Sequence, residues 1–359
     1  MNRYPFWFKG TMILVGLTLL FLILSYGKFI LMPLVFSALL SMLLVPVTKQ
    51  FEDWKLGRAG SIVVALILVV VLISGVLSLF SWQFVQFAEE LPQVTDRLKE
   101  INTDVLSFID NRLGIAPDQQ TDYLERALDN VIERSGEYVT GLVNTTTNLF
   151  TTLGLMPIFI FFMLYYREMY HTFLNKIIER RSHSQVDAVV HKVQEVTQNY
   201  LLGLITVILI LAVLNTTGLL IVGIDHAIFF GVFAAFLAII PYIGIIIGSL
   251  PPLLYALFLT DSLLYPLGVI LVFVIVQFLE GNFITPRIVG SRVSINPFIA
   301  MIALITGGQL WGISGMILFV PLVGILRVVF DEIPALRPVG YLLGNEKRYV
   351  ETQPPSEAE

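Results

Sequence analysis

Cysteine is absent from this 359-residue chain. That excludes disulfides, a thiolate nucleophile and any Cys-based metal site, and leaves the compartment open. Charge is scarce as well: Asp, Glu, Lys and Arg make up 14% of the residues, where a soluble domain carries about 25%. Motifs of hydrolytic and nucleotide chemistry are also missing. There is no HExxH, no GxSxG, no P-loop and no paired Asp inside an apolar run, so the residues that such chemistry requires are not there. An enzyme is therefore not expected, nor is a cofactor, a metal centre or a nucleic-acid partner. No period of 20–50 residues recurs, which excludes a solenoid.

What is abundant is apolar sequence. Hydrophobic residues make up 56% of the chain, and mean hydropathy is +0.81. Many long uncharged runs in a chain of this length predict an all-α polytopic integral membrane protein. The run 10–27 follows Arg3 and Lys9. It is longer than the 7–15 residues of a signal-peptide core and no A-x-A-like site follows, so it reads as a first span. Further spans are expected at 29–48, 61–87, 149–166, 201–222 and 263–279, with Pro157 a kink in the fourth. About five to six full spans result.

Two apolar segments, 227–259 and 295–329, are broken in the middle. The first is interrupted by Pro241-Tyr242-Ile243-Gly244, the second by Gly307-Gly308-Gln309-Leu310-Trp311-Gly312. Crossing about 30 Å of hydrocarbon takes about 20 helical residues. Arms of about 15 residues reach only roughly 22 Å. Short arms with Gly or Pro at the break predict re-entrant helical hairpins, which are tolerated only where protein or water covers the bare backbone. Two ordinary helix pairs with turns at the membrane surface are the alternative. Interrupted spans of this kind point to a transport site.

Between 88 and 145 the composition changes. Acidic residues from Glu89 to Glu137 outnumber basic ones, and apolar residues recur every three or four positions on either side of a Gly114-Ile115-Ala116-Pro117 turn. This predicts a small domain of amphipathic helices. A second polar segment, 167–199, carries Arg167, Lys176, Arg180, Arg181 and Lys192 and is expected to form interfacial helices.

Lys and Arg cluster at 49–58, 167–192 and 287–292. Alternating spans place all three, with both termini, on one face, which the positive-inside rule makes cytoplasmic. The acidic domain then lies outside, and the two hairpins enter from opposite faces. The chain divides into three N-terminal spans (1–87), an extracytoplasmic helical domain (88–145), a span with a basic cytoplasmic segment (146–199), a transport core (200–330) and a cytoplasmic tail (331–359).

The pattern of residues resembles the autoinducer-2 exporter (AI-2E) family of bacterial membrane proteins. It comprises Ile240-Pro241-Tyr242-Ile243-Gly244 with Gly248 and Pro251, then Gln277, Glu280, Asn282, Pro286, Gly290 and Pro297, then Gly307-Gly308, Gly312, Gly315 and Pro321. Ile245 stands where the family often has Pro, and Asn296 where a His is common. The resemblance implies a transporter or exporter in the bacterial inner membrane and leaves the substrate open; a small polar solute such as an autoinducer-2-like furanone is the leading expectation, with cation coupling an option. Sodium/proton antiport and a channel-like or structural assembly role are the alternatives. It also implies a homo-oligomer, with five copies the first expectation.

The candidate path residues are Gln277, Glu280, Asn282, Arg287, Tyr242 and Gln309. Glu280 is the one carboxylate in the apolar stretch 263–284, and an ionisable group inside a span is costly. With Gln277 and Asn282 it offers oxygens to a coupling ion, Na+ or H+. It could instead sit at the interface, paired with Arg287, which could also bind an anionic substrate. Tyr242 could touch solute or anchor at the interface. Gln309 could coordinate, and Pro241, Gly244, Gly307, Gly308 and Gly312 form the hairpin tips. Gly244 and Gly248 form a GxxxG pair suited to close helix packing. A cysteine introduced at Gln119 is expected to react with an impermeant reagent added outside, and one at Ser184 is not. The opposite labelling would invert the topology.

Overall fold

The computed structural model describes residues 5–76, 78, 81–83, 86, 154–177, 183–240, 243–259, 262–290 and 295–344. The expected extracytoplasmic domain at 88–145 and the tail beyond 344 lie outside these residues. Among the described residues the chain is helical, and the single β pairing is an isolated bridge between Ile295 and Gly344. The helices are α1 (Phe6–Tyr26), α2 (Lys28–Asp53), α3 (Arg58–Gln83), α4 (Gly154–Tyr165), α5 (Arg167–Ile177), α6 (His183–Val222), α7 (Ala227–Leu237), α8 (Ile243–Leu259), α9 (Leu264–Leu279), α10 (Pro297–Glu332) and α11 (Arg337–Leu343). Six stretches among the described residues are long and apolar enough to cross a membrane. Their outer faces are bare of cover: Ile221 is 82% exposed and Leu264 76%. Contiguous apolar surface on that scale requires a non-aqueous surrounding.

The chain forms two compact units. One comprises Met1–Val69, Thr152–Thr206 and Thr285–Glu359, the other Val70–Thr151 and Val207–Ile284.

In the first unit α1 and α2 are joined by Gly27 alone. Its N–H donates to the Ile23 carbonyl, and its own carbonyl accepts from Ile30 and Leu31. The bend is tight: a Cβ there would lie 2.6 Å from the Ile23 oxygen. Along α2 the buried positions Pro33, Ser37, Ser41, Leu44 and Thr48 form a stripe of mostly small residues, the kind that lets membrane helices approach closely. The Ser37 hydroxyl donates to the Met156 carbonyl at 3.3 Å. Leu44, Ile62, Ile160 and Leu164 close a core of α2, α3 and α4. At one end, ion pairs link Arg167 to Glu52, Arg58 to Glu168, His171 to Asp187 and Lys192 to Glu332.

α10 runs through the second broken segment and is not a straight rod. Trp311 (φ −128°, ψ 15°) and Gly312 (φ 62°, ψ −143°) leave helical geometry. A Cβ on Gly307 would lie 2.3 Å from the Gly315 carbonyl oxygen, and one on Gly308 2.7 Å from Met316 Cε. Residues eight apart in an unbroken helix are about 12 Å apart, so the chain reverses at Trp311–Gly312. The arms 297–310 and 313–332 are about 21 and 30 Å long. Both ends of this hairpin meet α11: Asn296 N–H donates to the Leu343 carbonyl, and Arg337 Nε donates to the Asp331 carbonyl at 3.2 Å. The Asn296 side chain caps the first arm, accepting from Phe298 N–H, a role open to short polar side chains. At the tip, Trp311 Nε1 donates to the Leu24 carbonyl at 2.9 Å while its ring meets Phe319 edge-on.

The second unit holds residues 207–222 of α6 with α7, α8 and α9. Gly223 (φ +89°) ends α6, its N–H returning to Leu219 and Leu220 as in a glycine-terminated helix. α7 and α8 form the first hairpin, with helices of 11 and 17 residues. A Cβ on Gly248 would lie 2.8 Å from Ala234 Cα, and one on Gly244 1.7 Å from the Leu237 oxygen; the GxxxG pair packs helix on helix. Gly218 and Gly268 let α6 and α9 meet in the same way, each touching a valine of the other helix. Phe229, Phe230, Tyr255, Val269 and Phe273 fill the core between them.

Two expectations change. The polar segment 167–199 does not form separate interfacial helices throughout: α6 runs unbroken over 40 residues, from His183 into the span that ends at Val222. The sequence from 183 holds no helix-breaking residue before Gly203, so the polar turns continue the apolar ones. Gly307 and Gly308 do not form the second tip either. They lie a turn before it, where their missing side chains let the arms touch. Gly312 occupies a backbone region open almost only to glycine. Gly312→Ala is therefore expected to lower stability by about 1–3 kcal/mol, while Gly16→Ala, at a position with open space, costs nothing measurable. Thermal melts of both variants in detergent test this.

Candidate functional site

Residues 207–284 carry four ionisable groups other than Tyr, Asp225, His226, Asp261 and Glu280, and no Lys or Arg. Among the described residues of its unit, Glu280 therefore has no Lys or Arg partner. It follows α9 directly, where the hydrogen bonding widens from α to π over Glu280–Ile284, and again over Pro286–Gly290. A π turn inserts an extra residue into the helical register, and such turns recur at functional sites. Glu280 itself keeps the register of α9, its N–H reaching the Val276 carbonyl, and the residues after it are the ones the wider turn displaces.

Glu280 is half-buried. It lines a small cavity with Leu211 and Asn215 of α6, Ala234 and Ala238 at the end of α7, Ile245 of α8, and Phe273, Val276 and Gln277 of α9. The space admits about 10 Å³ of positions for the centre of a water-sized sphere, enough for about one water or ion. A second space of about 420 Å³ adjoins it, sharing Ile245, Phe273 and Gln277, and is bounded by Ser249, Leu253 and Val274. Its size falls within the range of small-molecule sites, mostly apolar with a few polar groups. Ser249 and Gln277 are its polar side chains.

A larger space of about 960 Å³ lies in the first unit between α2, α4, α5, α6 and α10. Its lining is mostly apolar, with Ser41, Lys49, Tyr170 and Gln194 beside Arg167, Glu168, His171 and Glu332, the last four engaged in the pairs described above. Charges neutralised against one another suit anchoring better than coupling, so the smaller pair of cavities is the stronger candidate.

The structure brings Gln277 and Glu280 to one cavity. It does not bring Asn282 there: that side chain is exposed and donates to the Phe278 carbonyl at 2.9 Å. Arg287 and Gln309 are exposed and belong to the other unit. Pro241 and Tyr242 lie outside the described residues. Asn215, which the sequence reading passed over, joins the site. Its signal was an amide in the middle of the apolar run 201–222, where a polar group is costly.

Long apolar helices, two of the apolar segments broken in the middle, define the class as a polytopic membrane protein. The comparisons agree. The AI-2E family transporter profile matches residues 11–335, and the chain belongs to that family. It is 27% identical over 323 residues to the Bacillus subtilis (strain 168) protein named "Putative transport protein YrrI", covering 86% of this chain and 88% of that one. It is 21% identical over 340 residues to the "AI-2 transport protein TqsA" of Escherichia coli (strain K12), covering 94% and 96%. A membrane transport role follows, in a multi-pass protein of a bacterial transporter family.

Proposed function

We propose that the protein exports a small polar solute across the bacterial inner membrane and that flux is coupled to a cation through Glu280. One observation carries the reading: the only carboxylate on the α9 stretch borders both the ion-sized cavity and, through Gln277, the groove of about 420 Å³. A solute in the groove and an ion at Glu280 would share Gln277, which makes occupancy of one site sensitive to the other. A furanone of the autoinducer-2 kind has the right size and few enough polar groups, and the printed name of TqsA points the same way. Exchange of sodium for protons at Glu280 is the second reading, favoured by the smallness of the cavity around that carboxylate.

Both hairpins are read as re-entrant, with tips entering from opposite faces. The Lys/Arg pattern supports that arrangement and places both termini in the cytoplasm and 88–145 outside. A small amphipathic domain buries little surface alone, which supports a homo-oligomer, with five copies as the starting expectation.

Glu280→Gln keeps the size of the side chain and removes its charge. In proteoliposomes at matched incorporation, the variant is expected to lose the dependence of flux on external pH and cation gradient while assembling normally. Unchanged rate and pH dependence would remove Glu280 from the path, because an interfacial carboxylate in an exposed pair is worth only about 0–1 kcal/mol. Solute-independent sodium flux would favour the antiport reading. Native mass spectrometry in nanodiscs is expected to show oligomers; monomer alone across lipids and detergents would refute self-assembly.

A further inference from the structure

We propose that Asn215 is a direct ligand of a single sodium-sized monovalent cation, completing with Gln277 and Glu280 a site whose net charge is zero when the ion is bound. This deepens the reading of Glu280 given above and rests on it. Three observations carry it.

The first is the state of Asn215 itself. The residue is 4% exposed, and its Oδ1 is buried with no hydrogen-bond partner. A buried acceptor left unpaired is costly, and native structures seldom keep one without a reason. It cannot swing away easily. The neighbouring Thr216 is where α6 meets α7 most closely, and a Cβ on Gly231 would lie 2.3 Å from its Oγ1 and 2.5 Å from its backbone nitrogen.

The second is what shares the cavity. Asn215, Gln277 and Glu280 are its three polar side chains, and Ala238, where α7 ends, also lines it. Helix ends leave carbonyl groups without intrahelical partners. The donor set on offer is oxygen throughout, which selects hard cations over soft ones.

The third is charge and size. The described residues of the second unit include no Lys or Arg, so among them the carboxylate meets no fixed counter-charge, and a proton or a bound cation would neutralise it. One carboxylate balances one unit charge. A divalent ion would leave a net positive charge in apolar surroundings, and calcium in particular takes six to eight oxygens. The space, about 10 Å³ for a water-sized sphere, holds one dehydrated ion and no hydrated one, and the carboxylate favours sodium over potassium because the smaller ion approaches it more closely.

The test uses full-length protein in nanodiscs, titrated with sodium, potassium or N-methylglucamine chloride at constant ionic strength, with melting temperature as the readout. A ligand that binds only the folded state raises that temperature in proportion to its occupancy. Sodium is expected to raise it in the wild type and potassium to do so far less. Asn215→Leu keeps the side-chain volume and removes the orphaned oxygen, so it should fold and melt no lower than wild type in N-methylglucamine. Its apparent sodium affinity should fall by about tenfold or more, equivalent to about 1.4 kcal/mol of binding free energy. Glu280→Gln should lose the response as well, and Asn282→Ala should keep it. A full sodium response in Asn215→Leu would overturn the role of Asn215. If Glu280→Gln then still abolished coupled flux, the transport reading would stand without it. No sodium response in the wild type would overturn the cation site and leave a proton at Glu280. A potassium response equal to that of sodium would overturn the size argument.

Discussion

Every backbone N–H and C=O placed in hydrocarbon must find a partner within the protein, since each unsatisfied group costs several kcal/mol. The rest of the structure depends on that constraint. It explains why the described chain is helical almost throughout, and why the two places where helices reverse are crowded with glycine. At Trp311–Gly312 the arms come close enough for Gly307 and Gly315 to touch backbone to backbone. The tip is held by an indole N–H donated to the Leu24 carbonyl. In the first hairpin Gly244 and Gly248 press against the backbone of α7. Close approach shields the irregular backbone and replaces side-chain packing with backbone contact, the usual currency of helix association in lipid.

The same constraint sorts the charges. The first unit gathers its Arg, Lys, Glu and Asp near the ends of α2, α3, α5 and α6, where they pair with one another. Such pairs are partly exposed and contribute little stability each, so their effect is to fix which ends sit together. The described residues of the second unit carry almost no charge. Its four helices pack through aromatic rings and glycine contacts, and Asp225, near the end of α6, accepts a hydrogen bond from the buried Tyr255 at 3.2 Å. Glu280 stands apart from this scheme. A carboxylate with no counter-charge among the described residues of its unit, at the start of a π turn, is a local violation of what makes the surroundings stable. Violations of that kind concentrate at functional sites.

The proposed coupling depends on two cavities that meet at Gln277. One has the dimensions of an ion, the other those of a small solute. Because Gln277 has one carboxamide to orient, an occupant on either side biases the groups presented to the other, and that is the minimum needed for coupling. The hairpin of α7 and α8 forms one wall of both spaces through Ile245. Movement of that short hairpin would alter both together.

The sequence by itself determined the membrane class, most of the spans and the two broken segments, and it singled out Glu280 as the one carboxylate in its apolar stretch. All of these are local properties: transfer free energy sums over a window of about 20 residues, and a Gly or Pro acts on its own stretch of backbone. Tertiary structure decided the rest. The second reversal falls at Trp311–Gly312 and not at Gly307-Gly308, because the arms need small residues where they touch as well as a glycine where they turn. Likewise α6 carries a polar half and an apolar half in one helix, since nothing in the intervening backbone breaks it. Asn282 was counted with Glu280 and Asn215 was not, although both are amides in or beside an apolar run. Which of them meets the carboxylate depends on the rotation of α6 and α9 about their axes. The closeness of Gly218 and Gly268 to the valines opposite sets that rotation. No window of sequence contains that information, because Asn215 and Gln277 lie about 60 positions apart and meet only once the helices between them have packed.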